Sequence, residues 1–137
     1  MIVDTSALAA IAMAEPHWET LLRALAEPGV VIPAQVLTEL NLTTANRGQP
    51  IIAAADALVS DLIKRGAEIA PFAHRHAEIT RAARERYGKG NGSGGLLNFG
   101  DLMVYAIARD RGELMLCTGR DFASTDLALH PASRLEP

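Results

Sequence analysis

Apolar residues follow two rhythms along this chain. Short continuous runs at 1–4, 30–32 and 114–117 are bounded by turn-forming or charged residues, as expected of strands buried on both faces. Between them lie longer segments with helical spacing. Trp18, Leu21, Leu22 and Leu25 follow an i, i+3, i+4, i+7 pattern that puts all four on one helix face. The pattern predicts a strand at 1–4, then a helix capped by Thr5 or Ser6 and running to about Glu15. Pro16 opens a second helix, which Pro28-Gly29 breaks. After the strand at 30–32, Pro33 starts a helix carrying Val36, Leu37, Glu39 and Leu40 and ending near 46–48. A helix at 50–64 closed by Gly66, a weak strand at 68–70 and an amphipathic helix at 74–87 follow. A glycine-rich loop at 88–97 leads to a helix at 98–109, a strand at 114–117 and a turn at 118–121. Short apolar strands alternating with helices predict an α/β domain with a central parallel sheet flanked by helices on both faces. No repeat or linker interrupts the pattern, so one domain over 1–137 is expected.

Composition narrows the class. With 137 residues, 49% of them hydrophobic, the chain has enough apolar surface for a real core, and disorder is excluded. Its one cysteine, Cys117, has no internal disulfide partner and points to a reducing, cytoplasmic setting. The longest apolar run, 7–14, ends at Glu15-Pro16, short of the roughly 18 residues that suggest a membrane span. The N-terminus lacks the basic region of a signal peptide. A net charge of −3 does not exclude a nucleic-acid partner, because distribution matters more than total.

Four acids carry the candidate chemistry. Ligands of parallel sheets bind outside the carboxyl ends of the strands. Asp4 ends the first predicted strand and Asp121 follows the turn after the last. Glu39 lies early in the helix after 30–32, and Asp101 lies in the first turn of the helix opening at Asn98. Each has an ordinary alternative: a helix cap for Asp4, a solvated helix position for Glu39, a capping-box partner for Asp101, a turn acid for Asp121. Together they form a set that parallel topology brings to one edge. Carboxylates so gathered repel one another, and a hard divalent cation relieves the repulsion while gaining oxygen ligands.

These residues carry a family resemblance. Met1-Ile2-Val3-Asp4-Thr5-Ser6-Ala7-Leu8 resembles the opening of PIN-domain toxins of the VapC type. Asn98-Phe99-Gly100-Asp101-Leu102-Met103-Val104-Tyr105-Ala106 resembles that family's second signature, and Cys117-Thr118-Gly119-Arg120-Asp121-Phe122 its third. The segment 33–40 resembles the part carrying the family's glutamate, here Glu39. The resemblance implies a PIN-like three-layer α/β fold and a toxin endoribonuclease of a type II toxin–antitoxin system. It implies Mg²⁺ or Mn²⁺ as cofactor, with Asp4 and Asp101 as principal metal ligands. Glu39 and Asp121 complete the catalytic pocket, with Asp126 competing for the fourth place. An RNA substrate, a cognate antitoxin and a homodimer are the partners it implies.

The rest of the chemistry fits a water nucleophile. No Ser-His-Asp or Cys-His set is evident, and His74-x-His76 reads as an exposed helix start, since alternate helix residues do not share a face. Arg81, Arg84, Arg86 and Lys89 are either phosphate contacts or a solvated face. The loop at 88–97 lacks the closing Gly-Lys-Ser/Thr of a Walker A loop and reads as a mobile flap near Asp101. Trp18 is assigned to packing or to an antitoxin groove. A haloacid-dehalogenase-like phosphohydrolase needs a second aspartate where Ser6 stands, and a phospho-receiver needs adjacent acids after the first strand. A non-catalytic PIN-like binding module is the remaining alternative.

Overall fold

The computed structural model describes residues 1–133. Its strands are β1 (Ile2–Val3), β2 (Val31–Pro33), β3 (Glu68–Ala70) and β4 (Met115–Leu116). They alternate with helices α1 (Thr5–Ala12), α2 (Trp18–Ala24), α3 (Ala34–Thr44), α4 (Gln49–Lys64), α5 (His74–Tyr87) and α6 (Phe99–Arg111), and a short 3₁₀ turn spans Phe122–Ser124. The strands form one parallel sheet in the order β3-β2-β1-β4. Ile2 pairs with Val31 on one side and with Met115 on the other. The chain first steps outward from β1 to β2 to β3, then returns to place β4 on the opposite flank of β1. The order therefore reverses between β1 and β4, and such a switch point opens a crevice at the carboxyl ends of the strands.

Burial explains the apolar runs. Ile2, Val3, Ile32, Met115, Leu116 and Cys117 are all fully inside, as strands covered on both faces require. Leu8, Leu21, Leu62, Ile107 and Phe122 complete the core from the helices and the 3₁₀ turn. α1 packs against α2, α3 and α4, while α6 packs against α3 and α5. Among the described residues, no helix is long and apolar enough to cross a membrane.

Local signals differ from expectation in three places. The cap of α1 is Asp4, one residue before Thr5: its carboxylate accepts the Ser6 N–H, leaving Thr5 inside the first turn. His76 is buried at 2% exposure, although it stands near a helix start. Its Nδ1 accepts the Ala73 N–H at 2.9 Å, which puts the ring proton on Nε2, 2.9 Å from Asp110 Oδ2. This histidine thus ties the start of α5 to α6, with Arg75 donating to the same Asp110 oxygen. The glycine-rich loop is braced. Lys89 N–H donates to Leu97 O and Leu97 N–H to Tyr87 O, while Asn91 Oδ1 accepts from Ser93 and Gly95.

Candidate active site

Asp4 leaves β1 at the switch point. Its own N–H donates to Leu116 O at 3.0 Å, so β4 fixes its backbone. Its Oδ2 accepts from Ser6 N–H at 3.0 Å and from Ser6 Oγ–H at 2.6 Å. Ser6 Oγ in turn accepts the Thr118 N–H at 3.0 Å. One hydroxyl therefore links the carboxylate after β1 to the turn after β4. The sequence offered Ser6 only as a possible helix cap, not as a member of the site; a serine two places after a strand-ending aspartate was its signal. Thr118 contributes through its backbone N–H.

The other oxygen of Asp4 is the notable one. The residue is 4% exposed, and Oδ1 is buried without a hydrogen-bond partner among the described residues. Burial pushes its carboxyl above the usual range and the Glu39 charge adds to the rise, against the lowering effect of the Ser6 hydrogen bonds. Buried polar atoms are ordinarily paired, so an orphaned carboxylate oxygen marks a place where a partner is required. Thr5 Oγ1 and the side-chain amide of Gln35, which follow β1 and β2 at the same sheet edge, are likewise buried and unpartnered. Nothing in the sequence distinguished Gln35.

Asp101 stands in the first turn of α6. Asn98 Oδ1 accepts the Asp101 N–H and Asp101 Oδ2 accepts the Asn98 N–H, each at 3.0 Å, a reciprocal capping box. The cap orients the carboxylate without neutralising it. Its pKa is pushed up to about 7, first by burial, then by the charges of Asp4, Asp121 and Glu39, with the Asn98 hydrogen bond opposing. Glu39 reaches across from α3 to the start of α6, where a Cβ built on Gly100 would collide with Glu39 Oε2. Asp121 lies exposed at the rim, at the cap of the 3₁₀ turn, and its charge reaches Asp101 and Cys117.

The four acids named from the sequence thus converge electrostatically at the switch point. Asp126 does not join them. It accepts the Tyr105 hydroxyl at 2.7 Å and pairs with Arg109 at 3.3 Å, which commits it elsewhere on α6. Cys117 is unsuited to nucleophilic work, because burial, followed by the Asp4 charge, pushes its thiol up to about 12. Tyr87 and Tyr105 pack on each other at 5.6 Å between ring centres. Among the described residues, no three His, Cys, Asp or Glu side chains are gathered closely enough to hold a metal ion by themselves. The donor chemistry nevertheless fits a hard divalent cation: oxygen ligands only, mutual repulsion, and a buried carboxylate oxygen without a partner.

A parallel α/β domain with an acidic pocket at its switch point defines a class of metal-dependent hydrolases. Comparison with known proteins narrows it. The PIN domain model matches residues 1–127. The chain is 36% identical over 127 residues to ribonuclease VapC28 of Mycobacterium tuberculosis, covering 91% of this chain and 93% of that one. It is 38% identical over 130 residues to ribonuclease VapC36 of the same organism, covering 93% and 91%. The crystal structure of Mycobacterium tuberculosis VapC20, a sarcin–ricin-loop-cleaving toxin, superposes with a TM-score of 0.70 at 22% identity over 93% of this chain and 95% of that one. The DNA-bound VapBC2 complex of Rickettsia felis gives 0.64 at 18% identity over 98% and 96%. The chain belongs to the PIN-domain family, within its metal-dependent VapC ribonucleases of toxin–antitoxin systems.

Proposed function

We propose that the pocket of Asp4, Glu39, Asp101 and Asp121 hydrolyses RNA phosphodiester bonds with Mg²⁺ or Mn²⁺, and that a cognate antitoxin restrains it. The observation that carries this reading is the buried Asp4 carboxylate with its unpartnered Oδ1, among acids whose charges raise one another's proton affinity. A non-catalytic binding module has no use for so costly an arrangement.

Asp4 and Asp101 would hold the cation, which when bound supplies charge stabilisation at the scissile phosphate and lowers the pKa of a water. The protein's own part is positioning and proton handling. Ser6 fixes Asp4 through Oδ2 and leaves Oδ1 for the ligand. The Asn98 box fixes Asp101, a carboxyl that exchanges its proton near neutrality. Asp121, exposed at the rim, would orient the attacking water and accept its proton, and Glu39, beside Gly100, would complete the acidic set. In-line attack by water then leaves a 5′-phosphate and a 3′-hydroxyl. A reducing cytoplasm suits a chain whose lone cysteine is a buried free thiol. VapBC complexes among the similar structures support an antitoxin partner, and a homodimer is part of the same reading.

Purified protein should cleave RNA with added Mg²⁺ and stop with EDTA. Asp101→Asn keeps an oxygen for the Asn98 N–H, so it should fold normally yet lose about 100-fold or more of the activity, the scale seen when a metal's supporting groups are removed. Equal cleavage by variant and wild type, in preparations free of contaminating nuclease, overturns the assignment.

A further inference from the structure

Among the described residues, Phe99 is the most exposed large hydrophobic, at 82%, and it lies two residues before Asp101. A lone exposed ring means little by itself, but one that continues into an apolar cleft marks a candidate binding surface. The ring borders a cleft of about 330 Å³ between α5 and the start of α6, lined by Phe72, Arg81, Arg84, Leu102 and Met103 among others. Among the described residues, no acid lines this cleft. The two arginines also differ from their neighbours. Arg75 pairs with Asp110, Arg109 with Asp126, Arg111 with Glu68, and Arg86 stacks on Tyr87. The guanidiniums of Arg81 and Arg84 have no ion-pair or hydrogen-bond partner among the described residues, so two cations flank an apolar floor uncompensated.

We propose that Phe99, Arg81 and Arg84 form a nucleotide subsite beside the carboxylate pocket, in which an unpaired RNA base stacks on Phe99 and the arginines hold the adjoining phosphates. The inference rests on the ribonuclease reading above and deepens it by naming single-stranded RNA as the form bound there. Residues two apart on a helix advance about 3 Å along its axis and point to different sides. Phe99 and Asp101 therefore bracket one helix end, within the reach of neighbouring nucleotides of one strand. A base offers a π face to the ring and its phosphates offer charge to the arginines, the combination by which proteins hold single strands. A second copy of this chain fits less well: an isologous contact centred here would bring like-charged guanidiniums together with no acid to separate them.

The test uses the full-length protein and a short single-stranded oligoribonucleotide carrying 2-aminopurine, whose fluorescence is quenched on stacking. Binding is read in the Asp101→Asn background with RNA uncut, and cleavage is read separately in the active protein. Phe99→Ala should weaken binding about tenfold and abolish the quench, as expected for one lost base–aromatic stack, and Phe99→Trp should restore both. In cleavage, Phe99→Ala should raise KM more than it lowers kcat. Arg81→Gln and Arg84→Gln should each weaken binding and flatten its salt dependence, by about 0.7 in log–log slope per lost phosphate contact. Active enzyme with unchanged KM, binding and quench in Phe99→Ala overturns the subsite and leaves the ribonuclease reading intact. Phe99-dependent binding and quench without any cleavage by wild type overturns the ribonuclease reading and leaves the subsite. Loss of a dimer in Phe99→Ala, by light scattering, with RNA binding unchanged assigns the face to a second copy and overturns the proposal.

Discussion

Ser6 carries two loads with one hydroxyl: it donates to Asp4 Oδ2 and accepts the Thr118 N–H. Removing it takes the strongest bond from a buried carboxylate and strands a part-buried amide. Ser6→Ala should therefore cost about 1–3 kcal/mol, the range for leaving such a group unsatisfied. It should also loosen the turn after β4 and reduce metal-supported cleavage, while Ser6→Thr preserves the hydroxyl. Urea unfolding at neutral pH checks the first effect, and an unchanged midpoint in Ser6→Ala would exclude the double role. Ser6 also shows how much of the site was legible at residue scale. The carboxylates announced themselves by type and position, and the charges of Asp4, Glu39 and Asp121 all reach Asp101. What links them was not legible, because a serine reads as an ordinary residue at a helix start until β4 is known to lie beside β1. The choice between Asp121 and Asp126 was open for the same reason. The Tyr105 hydroxyl that engages Asp126 stands 21 positions away in sequence.

The helix α6 does its work at its N-terminus. Its capping box is an ordinary structural device, yet the residue that completes it is also the acid with a pKa of about 7. The capping-box reading of Asp101 is thus correct, and the same residue is free to carry the chemistry proposed for it. Gly100, between cap and acid, leaves room for Glu39, whose Oε2 a Cβ would strike. The obstacle is the flexible end of a side chain, so Gly100→Ala should fold well and gain up to about 1 kcal/mol from helix propensity. Glu39 must move, and cleavage should fall about tenfold or more, the scale for displaced supporting groups. A raised melting temperature with full activity would show that Glu39 is dispensable there. Helices and strands were broadly legible from periodicity and from Pro and Gly punctuation, and β3 and α5 match their expected spans. The errors fall where tertiary contact decides. Burial of His76 depends on Asp110, and bracing of the 88–97 loop depends on the Asn91 side chain.

At the scale of the whole molecule, the acidic pocket couples folding to pH and to metal. Asp101 has an ordinary value of 3.8 and reaches about 7 in the fold, and Asp4 is raised as well. A raised folded-state value means that the native protein binds these protons more tightly than the unfolded chain. The contribution of Asp101 to stability is complete below pH 3.8, declines as pH rises above that, and is gone once pH has passed about 7. Metal-free protein should accordingly lose stability from about pH 4 upward, with the last of the loss falling between pH 6 and pH 8. A divalent cation binds the ionised form, so protons compete with it at pH 6 and far less at pH 8. Added Mg²⁺ should raise the melting temperature more at pH 8 than at pH 6, with EDTA removing the gain at both. Asp101→Asn removes the principal titrating group and one ligand. It should flatten the metal-free pH dependence and shrink the Mg²⁺ gain together. Thermal scans of both proteins at the two pH values, with and without Mg²⁺, contain the whole test. A gain equal at both pH values, or one that survives Asp101→Asn undiminished, would mean that the cation binds outside this carboxylate set.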